Sequence, residues 1–186
     1  DEPAALRVDG ASPPYGPLVG GTRITLTGAG FADGGAVANR VLIGGREPIL
    51  AVEMLEAAKA AMVPPHFEIS VMADPSGAFT TAAGMIAVVE QRLRAVGTTL
   101  ENRRLAIFGG TGPVGRVAGL IAAQAGAKVT LVGYDGLQRV TATCEQFGER
   151  FGVAMAPADG SNDAKKLQVI ANAEVILAAG RAGTQI

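Results

Sequence analysis

The stretch Leu105–Gly115, which reads LAIFGGTGPVG, decides the fold of this 186-residue chain. An apolar run leads into closely spaced glycines and then into a segment of helical periodicity, so the stretch predicts a strand, a tight turn and a helix. The spacing Gly110-x-Gly112-x-x-Gly115 is typical of turns that hold the pyrophosphate of a dinucleotide. We expect Gly110 to permit the tight turn, Gly112 to leave room for the phosphates, and Gly115 to let the helix approach the sheet.

The other residues of this loop, Thr111, Pro113 and Val114, complete the candidate phosphate site. Backbone N–H groups at the start of a helix have no partner within the helix, so they attract phosphate charge. The alternative is a glycine turn that serves only close packing. A strand before the glycines and a helix after them favour the phosphate site.

Further strands and helices alternate along the second half of the chain, at the spacing of parallel strands joined by crossover helices. This alternation predicts an α/β fold with a Rossmann-like parallel sheet and helices on both faces. The predicted strands are residues 104–108, 128–132, 153–156 and 174–178, and the helices between them are residues 114–124, 137–151 and 163–172.

Asp135 follows the second of these strands, twenty residues after Gly115. An acid at this place can accept hydrogen bonds from an adenosine ribose, and the alternative is an ordinary solvated turn residue. Gly133 occupies the strand-end position where a strict NAD enzyme more often has the acid. Arg139 is near enough in sequence to neutralise a 2′-phosphate, with a simply solvated arginine as the alternative. We therefore expect both NAD and NADP to bind.

Small and polar residues also follow the third and fourth strands, on the side where open parallel sheets bind ligands. Asp159 follows the third strand, and Ala179 and Gly180 follow the fourth. The small pair would let a nicotinamide lie close to the backbone. Plain connecting turns are the alternative for all three residues, which we include among the candidate cofactor contacts.

The first half of the chain has a different pattern. Residues 22–28 alternate polar and apolar side chains, as a half-buried antiparallel strand does, and residues 40–43 predict a second strand. A helix over 49–62 and a strand over 67–72 follow. Thr80 or Thr81 is expected to cap a helix over 82–96. We divide the chain into a β-rich segment 1–48, a partial substrate lobe 49–97 and a dinucleotide-binding domain 98–186.

Composition limits the classes of function. A net charge of −1 argues against nucleic acid or an anionic membrane as partner, and the longest apolar stretches are too short to cross a bilayer. One cysteine, Cys144, and one histidine, His66, exclude an internal disulfide and a Cys/His metal site. No signal peptide is visible, so we expect a cytoplasmic protein.

A resemblance to a known family rests on several short segments: Ile43-Gly44-Gly45, Val63-Pro64-Pro65, ADPSGAFTT at residues 73–81, IFGG at 107–110, LVGYDG at 131–136 and Arg139-Val140. On these segments, from about residue 41 to residue 186, the chain resembles the bacterial NAD(P)-dependent methylene-tetrahydromethanopterin dehydrogenases. This resemblance implies hydride transfer from a methylene-pterin to NAD or NADP, leaving the methenyl form. The pterin nitrogen lone pair stabilises the cation, so positioning would dominate, and no catalytic acid–base pair is evident in the sequence.

In such an enzyme Asp74, Thr80, Thr81 and His66 would be the substrate-binding residues, in a crevice between two lobes. Their alternatives are structural, because Asp-Pro-Ser-Gly is good turn chemistry, threonine is a good helix cap, and a lone histidine is more often a satisfied structural residue. The chain departs from the family at both ends: we expect its opening strand–helix units to be absent and its sheet to stop after Ile186, which would impair turnover.

Residues 1–48 resemble half of an IPT/TIG immunoglobulin-like module of the plexin type, on residues 13–28 and 41–46. The two resemblances meet at residues 41–46 and predict a chimaeric build. A half module exposes strand edges, so homo-oligomerisation is expected. The alternative function is a catalytically silent nucleotide-binding or protein-interaction module.

Overall fold

The computed structural model describes residues 7–12, 25–29, 40–63 and 69–180. The strands in these residues form an antiparallel pair, a parallel pair and a four-stranded parallel sheet. They are β1 (Arg7–Ser12), β2 (Thr25–Ala29), β3 (Arg40–Ile43), β4 (Ser70–Ala73), β5 (Arg104–Phe108), β6 (Lys128–Gly133), β7 (Met155–Asp159) and β8 (Val175–Ala178). The helices are α1 (Pro48–Ala60), α2 (Ala78–Ala95), α3 (Pro113–Gln124), α4 (Leu137–Phe151) and α5 (Asp163–Asn172).

The four-stranded sheet has the order β7-β6-β5-β8, with every neighbouring pair parallel. The chain moves from β5 outward to β7 and then returns to the other side of β5 for β8. This is the order of the first four strands of a Rossmann fold, and the reversal creates a topological switch point between β5 and β8. Ligands of such sheets bind at the carboxyl ends of the strands, beside that switch point.

Helices cover both faces of this sheet, as the sequence predicted. Because successive side chains of a strand point to opposite faces, β5 and β6 contribute to two separate cores. Leu105, Ile107 and Leu131 pack with residues of α2, α3 and α4. On the other face, Phe108 and Val132 pack with residues of α5.

The strands β3 and β4 and the helix α1 between them form a small unit. Its core consists of Ile43, Ala51 and Ala73, and Phe79 packs against both this core and the large one. The boundary expected at residue 48 falls inside this unit, because β3 pairs with β4.

The segment 1–48 does not show an immunoglobulin-like module within the residues that are described. The alternation over 22–28 corresponds to β2, which pairs antiparallel with β1, a strand that the sequence analysis did not predict. The third strand of this segment, β3, runs parallel to β4 in the α/β unit. Within its described residues, the segment 1–48 therefore contains one antiparallel pair of strands and no second sheet of the kind that an immunoglobulin-like module has.

Three element boundaries were wrong. Strand β4 covers Ser70–Ala73 rather than 67–72. Helix α2 begins at Ala78, four residues before the expected start, because Gly77 with φ +68° ends the preceding turn and the helix continues from there. Strand β7 covers Met155–Asp159 rather than 153–156. Pro157 interrupts the apolar pattern, but β7 pairs only with β6, and an edge strand tolerates proline.

Candidate functional site

The turn between β5 and α3 begins at Gly109, whose φ of +76° only glycine adopts without strain. A Cβ at Gly109 would lie 2.7 Å from the carbonyl carbon of Ala179 and 2.7 Å from the nitrogen of Gly180. The left-handed conformation of the turn is therefore at Gly109, whereas Gly110, which was expected to permit the tight turn, has no positive φ. The sequence signal for this role was the position of Gly109 directly after the strand, which the spacing Gly110-x-Gly112-x-x-Gly115 does not include.

Gly110 and Gly115 serve close packing. A Cβ at Gly110 would lie 2.8 Å from the Cβ of Leu131, and one at Gly115 would overlap the carbonyl oxygen of Gly109. The first glycine lets the turn lie on β6, and the second lets α3 lie against the turn. The close approach of the helix that was expected of Gly115 is present.

Gly112 differs from the other glycines of the turn. Its φ of −77° and ψ of 160° suit any residue, and a Cβ there would meet only the oxygen of Gly109, at 3.2 Å. Gly112 precedes α3 without a side-chain cap, whereas Asn162 caps α5 through its side chain. The first N–H groups of α3 are thus left without side-chain acceptors, beside the buried Thr111 and the half-buried Pro113 and Val114.

The end of β6 carries an ion pair. Arg139 Nη1 donates to Asp135 Oδ2 at 2.7 Å, and this contact, followed by one with Tyr134, raises the pKa of the Arg139 guanidinium. A side chain at Gly133 has no room, because its Cβ would lie 2.7 Å from the carbonyl oxygen of Gly136. The turn itself therefore excludes an acid at position 133, and the next acid along the chain is Asp135.

The carboxylate at the end of β7 is hydrogen-bonded within the protein. Asp159 accepts hydrogen bonds from Lys165 Nζ at 2.5 Å and from Ser161 N at 2.8 Å, and the Lys165 contact is the main reason that the pKa of Asp159 falls to about 2. Gly160 N donates to Gly133 O at 2.7 Å. These contacts hold the ends of β6 and β7 together, and they engage the Asp159 carboxylate within the protein.

The loop after β4 is built around Asp74. Its Oδ1 accepts from Phe79 N at 2.9 Å, and its Oδ2 accepts from Thr80 Oγ1 at 2.6 Å. The Thr80 hydroxyl is the main reason that the pKa of Asp74 is lowered. The cap of α2 is thus supplied by Asp74, and the expectation that Thr80 or Thr81 is the cap was wrong. His66 lies outside the described residues.

The loops after β3, β4 and β5 lie near one another, and we call the space between them the interlobe crevice. Ser76, at φ +54°, donates from Oγ to Gly45 O at 2.7 Å, which joins the first two loops. The turn Pro75–Gly77 also contacts α3, which follows the glycine turn. The Asp74 loop therefore lies beside α3, and the expectation that a crevice between it and the glycine turn holds the substrate stays a prediction.

An ion pair without a signal in the sequence joins α3 to the residue before α1. Arg116 in α3 contacts both carboxylate oxygens of Glu47, which precedes α1, at 3.0 and 3.2 Å. A glutamate and an arginine 69 positions apart give no sequence signal, because only the fold brings Glu47 within reach of α3.

A second concavity lies elsewhere. A groove of about 870 Å³ opens at the amino ends of β5, β6 and β7, on the opposite edge of the sheet from the glycine turn. Ligands of open parallel sheets bind at the carboxyl ends, so we do not place the site in this groove. No group of three His, Cys, Asp or Glu side chains in the described ranges could hold a metal ion. No helix within those ranges is long and apolar enough to cross a membrane.

The fold and the turn together define an α/β protein with a Rossmann-type strand–glycine turn–helix. Among known proteins, the family described as "Methylene-tetrahydromethanopterin dehydrogenase, N-terminal" matches residues 25–76. The chain is 44% identical over 147 residues to the NAD(P)-dependent methylenetetrahydromethanopterin dehydrogenase of Methylorubrum extorquens. The matched region covers 78% of this chain and 49% of that protein. It is 30% identical over 146 residues to the bifunctional protein MdtA of the same organism, with the same two coverages.

The chain thus spans about half the length of the curated relatives that it matches. The family match begins at residue 25, so it covers part of the segment in which an IPT/TIG-like module was expected. These comparisons give no support to that module or to a chimaeric build. They do support the similarity to methylene-tetrahydromethanopterin dehydrogenases.

Proposed function

We propose that this chain binds NAD or NADP at the glycine turn and takes part in oxidising methylene-tetrahydromethanopterin to its methenyl form. The observation that carries the proposal is the uncapped start of α3 behind Gly112, at the carboxyl end of β5. The 44% identity to an NAD(P)-dependent dehydrogenase supports the choice of reaction.

The residues present fit a dinucleotide. At Gly112 the backbone is open to an approaching phosphate, and the free N–H groups of α3 supply donors and the positive end of the helix dipole. Gly109, Gly110 and Gly115 then have a supporting role, since their missing side chains let the turn pack between the ends of β6 and β8. Asp135 would accept from the ribose of NAD, and Arg139 would face the 2′-phosphate of NADP.

The nicotinamide side would lie at the switch point, near Ala179 and Gly180. Ala179 N donates to Phe108 O at 2.9 Å, which fixes this segment beside the end of β5. Small residues here leave the backbone accessible to a flat ring. When bound, the nicotinamide supplies the hydride acceptor.

The pterin would lie across the interlobe crevice, at the loop after β4. Asp74 already accepts three hydrogen bonds from Phe79 and Thr80, so we assign it the task of holding this loop in shape. Thr80 and the exposed Thr81 remain candidate contacts to the substrate, and His66 remains a prediction. The protein would act by placing the methylene carbon about 3–3.5 Å from its acceptor, without an acid–base pair.

Two measurements test the proposal. Calorimetric titration with NAD and with NADP should show binding of both, and adding methylene-tetrahydromethanopterin should produce the absorbance of the reduced nicotinamide. Binding without reduction would favour the alternative, a catalytically silent nucleotide-binding module. The absence of binding in a folded sample would refute the assignment of the glycine turn.

A further inference from the structure

Arg116 joins α3, which follows the glycine turn, to the residue before α1. It follows Gly115 directly, and its backbone N–H donates to Gly112 O at 3.0 Å, so its place is tied to the glycine turn. Its guanidinium holds Glu47 through Nη1 and Nη2, and 12% of the Arg116 side chain is exposed. Glu47 immediately precedes α1. The pair therefore joins the start of α1 to the start of α3.

The form of this contact shows that Glu47 determines where the guanidinium lies. Arg116 Nε is buried and has no hydrogen-bond partner. A buried donor without a partner is unfavourable, and another orientation of the side chain could expose Nε to water. The observed orientation instead gives both terminal nitrogens to one carboxylate, a bidentate geometry that fixes distance and direction.

A second ion pair holds α1 farther along. Arg150 Nη2 at the end of α4 contacts Glu56 Oε2 at 2.5 Å. Glu56 is nine residues beyond Glu47, which is about 13 Å along a helix at 1.5 Å per residue. The two pairs thus attach α1 to the dinucleotide-binding unit at two points. Of these, the Glu47 end lies at the interlobe crevice.

We propose that the Glu47–Arg116 pair sets the gap between the loop after β4 and the glycine turn, and so positions the substrate against the dinucleotide. Both residues are positioning residues in this proposal, which rests on the proposed function. The β3–α1–β4 unit has a core of its own and packs against the large core through Ile49 and Phe79. Polar contacts add to this apolar packing in setting its orientation. A displacement of about 1 Å at a reacting atom can cost about a hundredfold in rate.

The first test separates binding from turnover. Glu47→Gln keeps the shape of the side chain and removes its charge, and Glu56→Gln makes the same change at the distal pair. We expect Glu47→Gln to lower kcat for methylene-tetrahydromethanopterin oxidation at least tenfold and to change the Kd of NADP less than twofold. Glu56→Gln should leave kcat within twofold. Equal losses of kcat in both variants, or a matching loss of NADP affinity, would overturn the proposal.

The second test does not depend on turnover. Spin labels at Glu53→Cys in α1 and Gln138→Cys in α4, both exposed positions, would report the distance between the two units in a Cys144→Ala background. Adding Glu47→Gln should broaden or shift this distance distribution, and adding Glu56→Gln should change it less. If Glu47→Gln changes the distance distribution but the parent protein oxidises no methylene-tetrahydromethanopterin, the positioning role stands and only the proposed function is refuted. An unchanged distribution in folded protein would refute the positioning role, whatever the enzyme activity.

Discussion

Replacing Gly112 with valine tests the phosphate site most directly, because the structure separates its effect on binding from its effect on folding. The backbone at Gly112 has φ −77° and ψ 160°, which valine adopts without strain. The added Cβ would meet Gly109 O at 3.2 Å, so the neighbour must yield by a few tenths of an ångström. Valine is also a poorer helix cap than glycine. We expect the fold to lose about 1 kcal/mol of stability.

The effect on binding should be larger than this. The valine methyl groups would occupy the space through which the pyrophosphate reaches the N–H groups of α3. We expect NAD and NADP affinity to fall at least tenfold, about 1.4 kcal/mol, in calorimetric titration. The matched control is Gly84→Val on α2, where a Cβ would meet nothing within 4 Å. Unchanged affinity in folded Gly112→Val, or an equal loss in Gly84→Val, would show that the phosphates do not bind at this turn.

The glycine turn and the ends of β6 and β7 can be tested by three further substitutions. Gly115→Ala should destabilise the fold by about 1–3 kcal/mol, seen as a lower denaturant midpoint, because the new methyl group overlaps the turn; an unchanged midpoint would contradict this packing. Asp135→Ala should weaken NAD more than NADP in titrations, because it removes the ribose acceptor and frees Arg139 for a 2′-phosphate; equal losses would place Asp135 away from the ribose. Lys165 lowers the pKa of Asp159 to about 2, below the ordinary value of about 3.9. The ionised Asp159 therefore stabilises the fold above about pH 4, and this contribution is lost as the pH falls towards 2. Asp159→Asn should therefore lose less stability than the parent between pH 4 and pH 2 in denaturant titrations, and parallel curves would contradict this.

The strand–turn–helix units and the α/β class could be predicted from the amino-acid sequence alone. Leu105–Phe108 and the helix after Gly112 lie where the pattern predicted them, because apolar periodicity and glycine placement are local properties of the chain. The same patterns indicated the parallel sheet and the side on which its loops gather. They also indicated the relatives, through short motifs such as ADPSGAFTT at 73–81.

The separate roles of the glycines became visible only in the folded structure. Gly109, Gly110 and Gly115 are distinguished by what a side chain would meet, and those neighbours lie in β6, in the segment after β8, or across the turn. The spacing rule cannot see these contacts, so it assigned the tight turn to Gly110. The same limit applies to Asp74, whose capping contacts depend on the left-handed turn at Ser76 and Gly77.

Contacts between distant parts of the chain were likewise beyond the sequence. Glu47 and Arg116 carry opposite charges, but so do many pairs among the 16 basic and 17 acidic side chains. Which of them pair is decided by the fold, since an ion pair forms only between groups that the fold has already brought within a few ångströms. Local chemistry therefore fixed the elements of the site, and the packing of those elements fixed its geometry.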